Sequence, residues 1–489
     1  MQERSCTSEL RSRRSGRWAR RASPLLTALI IAVVLLAAGC SSPRAPAPAG
    51  PAAATTSTAP GSVVLAPDTP AGIQLAWLIA AMAHLPVSDA EVSAHFDAGY
   101  LAMVSPAAVN QWLQALNEWL QAGTAAKLVS IRVDEPSMVV AIVSAGGAGP
   151  RARVGLTVVS RGLIGDLDIS PAIAGPVPAT WADVDAALRS IAPDIRVLVA
   201  NVSSGSCRPV HSIETATAAP FGSVLKLYVL HALGTAVASG KVHWDQQLTI
   251  TAQLKSLPSG VLQYEPDGTQ ISVLDAAAKM IFISDNTATD MLINLVGRSA
   301  VEAALTTTGM TNPAPNRPFL TTRETFILTL EQWPTLAKRY LAANEADRRA
   351  LLANTVDRLP LPDVAAMRAL GTRGDMGRLG WFASASDICH VYTSLAALSR
   401  RPGLSPIAQV LSLNDDILEL DPAQWTTTWR KGGVGPAVLA QAYLATTRTG
   451  RSYVAIVLAE NPSKSIDALE AAPVMLAAIK GAFILAARR

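Results

Sequence analysis

Charge is scarce in this chain: only 16% of its 489 residues are Asp, Glu, Lys or Arg, while half are hydrophobic. That balance excludes wholesale disorder, which needs much charge and little apolar surface. Aromatic residues make up 5%, and 32 glycines and 32 prolines are spread without a period, so neither collagen nor a coiled coil fits. Four cysteines in 489 residues do not make a disulfide scaffold. The six histidines (His84, His95, His211, His231, His243 and His390) are scattered, without an H-E-x-x-H or Cys-His grouping, so no metal or other cofactor is implied. What remains is a globular chain with length for about three domain-sized units.

The first 39 residues differ from the rest. They hold seven arginines against Glu3 and Glu9, followed by an apolar run from Leu25 to Ala38. This is the layout of an export signal, and the run is short for a membrane span. Leu35-Leu36-Ala37-Ala38-Gly39-Cys40 looks like a bacterial lipoprotein cleavage site, which makes Cys40 the expected lipidated residue of a protein held on the outer face of the cell membrane. The pair Arg20-Arg21 leaves the export route open. Without this segment the net charge of +4 disappears, which leaves no signal for a nucleic-acid partner. Cys207 and Cys389 then remain in an oxidising compartment, where a disulfide between them is possible.

Residues 40–69 are rich in Ala, Pro, Ser and Thr and read as a flexible tether. From Ile73 to Leu120 apolar residues recur at helical spacing: Ile73, Trp77, Ala80, Ala81 and His84, then Val109, Trp112, Leu113, Leu116 and Leu120. Trp112 and Trp119, seven residues apart, read as core. Three β runs follow, Leu128 to Val133, Met138 to Val143 and Val154 to Val159. Helices followed by a meander give an α+β domain over 70–176, and no carboxylate–tyrosine pair stands out in it. Residues 177–489 open with a helix, Trp181 to Ile191, and a hairpin, Ile195 to Val202 and Cys207 to Ile213. A helical section from Gly222 to about Leu413 leads to β runs at Trp425 to Arg430, Val438 to Thr447 and Tyr453 to Leu458, and to a last helix, Ile466 to Ala486. Strands from both ends with helices between them imply one sheet covered by helices on its faces.

Ser223 and Lys226 stand three apart at the start of an apolar helix, so they share a face. A serine needs a base to become a nucleophile, and a lysine can serve once burial or a neighbouring cation makes it neutral. Ser284-Asp285-Asn286 follows the apolar run Val273 to Ile283. There Ser284 can relay a proton and Asn286 can bind the lysine or a substrate amide, although the triplet also reads as a plain helix cap. Lys431-Gly432-Gly433 ends a β run; Lys431 can lower the pKa of Lys226, and the N–H groups of Ser223 and Val434, next to Gly433, can form an oxyanion hole.

In this order the three elements match S-x-x-K, S-D-N and K-T-G. Residues 181–489 therefore resemble the class A β-lactamases, serine enzymes that recognise penicillins. The whole is similar to β-lactamase-like proteins of clavulanic-acid gene clusters, in which a domain resembling steroid isomerases and the NTF2 family takes the place of residues 70–176. The resemblance implies an α/β/α sandwich with an antiparallel sheet, and an acyl-enzyme on Ser223 with Lys226 as base, Ser284 as relay and Lys431 shaping the field. Asn286, Gly433 and Val434 would bind the substrate, a β-lactam or an ester. A D-alanyl peptidase acting on peptidoglycan fragments, or a scaffold without turnover, are the alternatives. Two features depart from the family pattern. No E-x-x-L-N follows Asn286, Glu324 being the nearest acid, and Gly432 stands where the family has Thr or Ser. The long gap before Lys431 implies an insertion over the cleft at 333–380.

Overall fold

The computed structural model describes residues 64–120, 126–146, 151–171, 176–363, 379–414 and 417–488. The expected export segment, Cys40 and most of the tether lie outside the described residues, as does 364–378 of the expected insertion.

Four helices open the described chain: α1 (Pro70–Ala81), α2 (Asp89–His95), α3 (Ala98–Met103) and α4 (Pro106–Leu120). The first three have side-chain N-caps, Thr69, Ser88 and Asp97, which accept from backbone N–H groups of the first turn. They pack on an antiparallel meander of β1 (Lys127–Glu135), β2 (Met138–Ser144), β3 (Arg151–Val158) and β4 (Ile164–Pro171). The strand β4 was not expected. Asp166 and Asp168 alternate along it with Gly165, Leu167 and Ile169, and the two acids hide its β character in the sequence.

The buried face of α1 also differs from expectation. Ala71, Leu75, Leu78 and Ala81 enter the core, whereas Ile73 is 56% exposed. The helix is apolar on nearly every side, so periodicity could not single out the face that the sheet covers. In α4 the stripe Val109, Leu113, Leu116 and Leu120 is buried as expected, but Trp119 lies beside it at 37% exposure and is not core.

The second domain starts with α5 (Trp181–Arg189), β5 (Asp194–Asn201), β6 (Arg208–Ile213), a short β7 (Ala219–Pro220) and α6 (Lys226–Ala238). Next come the short β8 (Gln247–Thr249) and β9 (Gln270–Ser272), then α7 (Val273–Phe282), α8 (Asn286–Val296), α9 (Arg298–Thr307), α10 (Thr322–Leu330), α11 (Thr335–Ala342) and α12 (Glu345–Asn354). The chain closes with β10 (Phe382–Ala383), α13 (Ala385–Ser399), α14 (Pro406–Ser412), β11 (Trp425–Gly435), β12 (Val438–Thr447), β13 (Ser452–Glu460) and α15 (Ala468–Ala487).

The main sheet has the order β11-β12-β13-β5-β6 and is antiparallel throughout. Val184, Leu188, Met475, Ile479 and Phe483 of α5 and α15 cover one face. The other face, with Ala440, Ala442 and Ile456, meets α6, α13 and their neighbours. Sequence-distant ends thus share one sheet between two helical layers, as the run order implied. Cys207 and Cys389 form a disulfide that ties the start of β6 to α13.

Candidate active site

Ser223 lies in a single 3-10 turn, Gly222–Leu225, and Lys226 begins α6 directly behind it. The turn approaches the edge strand β11 so closely that a Cβ on Gly433 would sit 2.2 Å from the carbonyl oxygen of Phe221 and 2.9 Å from the amide of Ser223. Glycine at 433 is what lets the strand lie against the turn. The backbone of Val434 comes to the same place, since a Cβ on Gly222 would lie 3.1 Å from its amide nitrogen. Ser223 itself is only partly buried.

Ser284 joins α7 to α8 with φ at +58°, in the left-handed region that a non-glycine residue adopts at a cost of about 1–3 kcal/mol. Asp285 caps α8, its carboxylate accepting from Ala288 N at 2.8 Å. The cap reading of this triplet thus holds for Asp285 and leaves Ser284 and Asn286 for other contacts. Its geometry aims the Ser284 hydroxyl at two amines. Lys226 Nζ donates to Ser284 Oγ at 2.9 Å, and Lys431 Nζ donates to the same oxygen at 3.0 Å.

Lys226 Nζ also lies 2.9 Å from Ser223 Oγ, 2.8 Å from the Ser284 carbonyl and 2.6 Å from Asn286 Oδ1. Asn286 thus holds the lysine through Oδ1, while its Nδ2 donates to Leu257 O at 2.6 Å. Four of the expected residues, Ser223, Lys226, Ser284 and Lys431, are joined by hydrogen bonds though they come from three distant segments.

Burial governs the charge state. Lys226 has no exposed surface, and burial lowers its pKa to about 7 against the opposing pull of Asp285 and Asp290. Desolvation is the main cause of the shift, and like-charge repulsion between Lys226 and Lys431 acts beside it. Lys431 is itself held well below the ordinary lysine value by burial, then by Lys226 and Arg430. Two amines bridged by one hydroxyl titrate as a pair, and a neutral amine is available near neutral pH. Among the described residues it is Lys226, not Lys431, that hydrogen-bonds Ser223.

Glu324 is not placed to act on an acyl group. It is the third helical residue of the α10 capping box with Thr321, and it makes a two-pronged ion pair with Arg298 at 2.9 and 2.6 Å. Among the described residues no Asp or Glu is hydrogen-bonded to Ser223, Lys226, Ser284 or Lys431. The described part of the expected insertion, α11 and α12, borders a cavity of about 380 Å³ lined by Leu320, Tyr340, Leu341, Arg348 and Phe382. Beside it, Trp381 O accepts from Phe221 N at 3.2 Å, two residues from the nucleophile.

The first domain holds a group that the sequence did not reveal. Tyr100, Asp166 and Asp168 act on one another electrostatically, and Tyr264 of the second domain joins them. Asp166 is buried with Oδ2 unpartnered, and burial, then Asp168 and Asp285, raises its pKa well above the usual carboxyl range.

Residues 180–351 match the profile of the Beta-lactamase enzyme family, over the span that holds Ser223, Lys226 and Ser284. That stretch is thus β-lactamase-like, and residues 66–164, ahead of it, match the profile described as the ORF 12 gene product N-terminal region. Solved structures similar to the chain include PBP-A, at 18% identity over 64% of this chain and 99% of that one, with a TM-score of 0.43. A β-lactamase from Sphaerobacter thermophilus DSM 20745 is 19% identical over 63% and 97%, TM-score 0.43. Another from Chitinophaga pinensis DSM 2588 is 17% identical over 63% and 98%, TM-score 0.42. No curated protein matches the chain.

Proposed function

We propose that this β-lactamase-like protein is an envelope lipoprotein that takes an acyl group from an ester or β-lactam onto Ser223 and passes it to water. One observation carries the reading: a fully buried Lys226 Nζ within 2.9 Å of both the Ser223 and the Ser284 hydroxyls. Neutral Lys226 removes the proton of Ser223 as its Oγ attacks the carbonyl carbon. Ser284 passes a proton to the departing oxygen or nitrogen and regains one from Lys226. The amides of Ser223 and Val434 face the developing oxyanion. Lys431 supports the relay through Ser284.

With no carboxylate hydrogen-bonded to the centre among the described residues, the reading is that release of the acyl group is slow and formation of the acyl-enzyme dominates. The same feature favours, as second reading, a peptidase-like use of the centre on peptidoglycan. Anchoring rests on the motif ending in Cys40: Cys40→Ser removes labelling by palmitate and moves the protein from the membrane to the soluble fraction.

The test follows a chromogenic cephalosporin and a short-chain p-nitrophenyl ester with wild type and Ser223→Ala. A burst with a mass adduct on Ser223, absent in the variant, is expected. No adduct after either a fluorophosphonate or a penicillin overturns the reading. Release of D-Ala from a pentapeptide selects the peptidase.

A further inference from the structure

We propose that the N-terminal domain positions the acylation centre by gripping a loop, residues 256–265, whose other side holds Asp285 and Asn286. The kinetic part of this proposal rests on Ser223 being the acylated residue; the structural part does not.

On the N-terminal side the grip is polar and tight. Glu265, 8% exposed, accepts from Ser160 N at 3.0 Å and from Ser160 Oγ at 2.8 Å, the only two hydrogen bonds to its carboxylate among the described residues. Tyr264 Oη donates to Met103 Sδ at 3.6 Å, and its ring lies on Gly99, where a Cβ would come within 2.5 Å. Val261 and Leu262 share a hydrophobic cluster with Met138, Val140 and Val159 of the first domain.

On the other side several bonds lead toward the centre. Val261 N and Leu262 N donate to Asp285 Oδ2 at 2.8 and 3.0 Å. Ser259 Oγ donates to Ile283 O at 3.0 Å, and Asn286 N donates to Ser259 O at 2.9 Å. Asn286 Nδ2 reaches Leu257 O, and Asn286 Oδ1 receives Lys226 Nζ.

The loop has only one three-residue 3-10 turn, Leu262–Tyr264, so little of its order comes from its own backbone bonds. Fixing ten such residues carries a large entropy cost, which contacts from outside must offset. Those contacts come from both domains at once. Loosening the Glu265 end therefore loosens the amides that hold Asp285 and the carbonyls that hold Asn286, and with them the place of Lys226. Glu265 and Tyr264 are positioning residues; neither touches Ser223.

The experiment uses the full chain with Glu265→Ala, Glu265→Gln and Gly99→Val. Two readouts are taken: hydrogen exchange at the amides of Val261, Leu262 and Ala288, and the maximal acylation rate with a p-nitrophenyl ester. Glu265→Ala and Gly99→Val are expected to speed exchange at these amides and to lower the maximal acylation rate roughly tenfold, as small misplacements of catalytic groups do. The half-saturating ester concentration and exchange in β12 and β13 stay near wild type. Glu265→Gln keeps one acceptor oxygen and recovers most of the rate. Unchanged exchange in both disruptive variants overturns the proposal, as does an exchange increase spread equally over β12 and β13. A wild type that forms no acyl-enzyme refutes the proposed function, and exchange still decides the coupling; an acylating wild type with unaffected variants refutes the coupling alone.

Discussion

Lys431 Nζ donates to Ser284 Oγ at 3.0 Å across 147 positions of sequence, and the same oxygen receives Lys226 Nζ at 2.9 Å. One hydroxyl thus joins two buried amines. Protonating both would place two charges in an apolar interior around a single oxygen, so the pair favours a neutral member.

Acylation of Ser223 should therefore depend on pH through Lys226. The base works only when deprotonated, and burial brings its pKa to about 7, so the acylation rate rises as pH increases through that value and levels off above it. A rate measured from pH 5.5 to 8.5 with a neutral ester checks the sign. Lys226→Ala should lose roughly 10²–10⁴ in rate and flatten the rise.

Ser284 has two separable costs. Ser284→Ala and Ser284→Gly both remove the bridging hydroxyl and should slow acylation by similar factors. At φ of +58° glycine is unstrained, so the glycine variant should be the more stable of the two by about 1 kcal/mol. Paired denaturation curves decide it; equal stability would mean that the turn relaxes once the hydroxyl has gone.

Gly433→Ala forces a Cβ into the carbonyl of Phe221. The strand must withdraw from the turn that carries Ser223. Overpacking of this kind costs roughly 1–3 kcal/mol, and the loss of oxyanion geometry should reduce acylation more than the change in melting temperature explains. By contrast, Gly432→Ala brings its Cβ no closer than 3.2 Å to the Arg430 and Gln441 side chains, which can give way, and should be far milder.

The Cys207–Cys389 bond closes a separation of 182 residues. Replacing both cysteines by Ala should destabilise the domain by roughly 2–5 kcal/mol. Chemical denaturation of the double variant measures this, and wild type in a reductant should approach it.

Much of the second domain was legible. The helix at Trp181, the three late β runs and the closing helix lie within a few residues of their expected places, apart from β11. That strand continues from Arg430 through Lys431-Gly432-Gly433 to Gly435, because pairing with β12 carries it on where glycine gave no β signal. The first domain was less legible. Strand β4 escaped notice because its two acids, Asp166 and Asp168, look like loop residues in one dimension.

The sequence by itself determined which residue types could do the chemistry. Serine and lysine three apart, S-D-N after an apolar helix and lysine followed by two glycines are local patterns, and local spacing suffices to read them. Only the tertiary structure decided that burial brings the pKa of Lys226 to about 7, that Asn286 serves the lysine, and that Glu324 belongs to Arg298. Desolvation and long-range hydrogen bonding depend on what packs around a side chain, and neighbours tens to hundreds of residues away supply it.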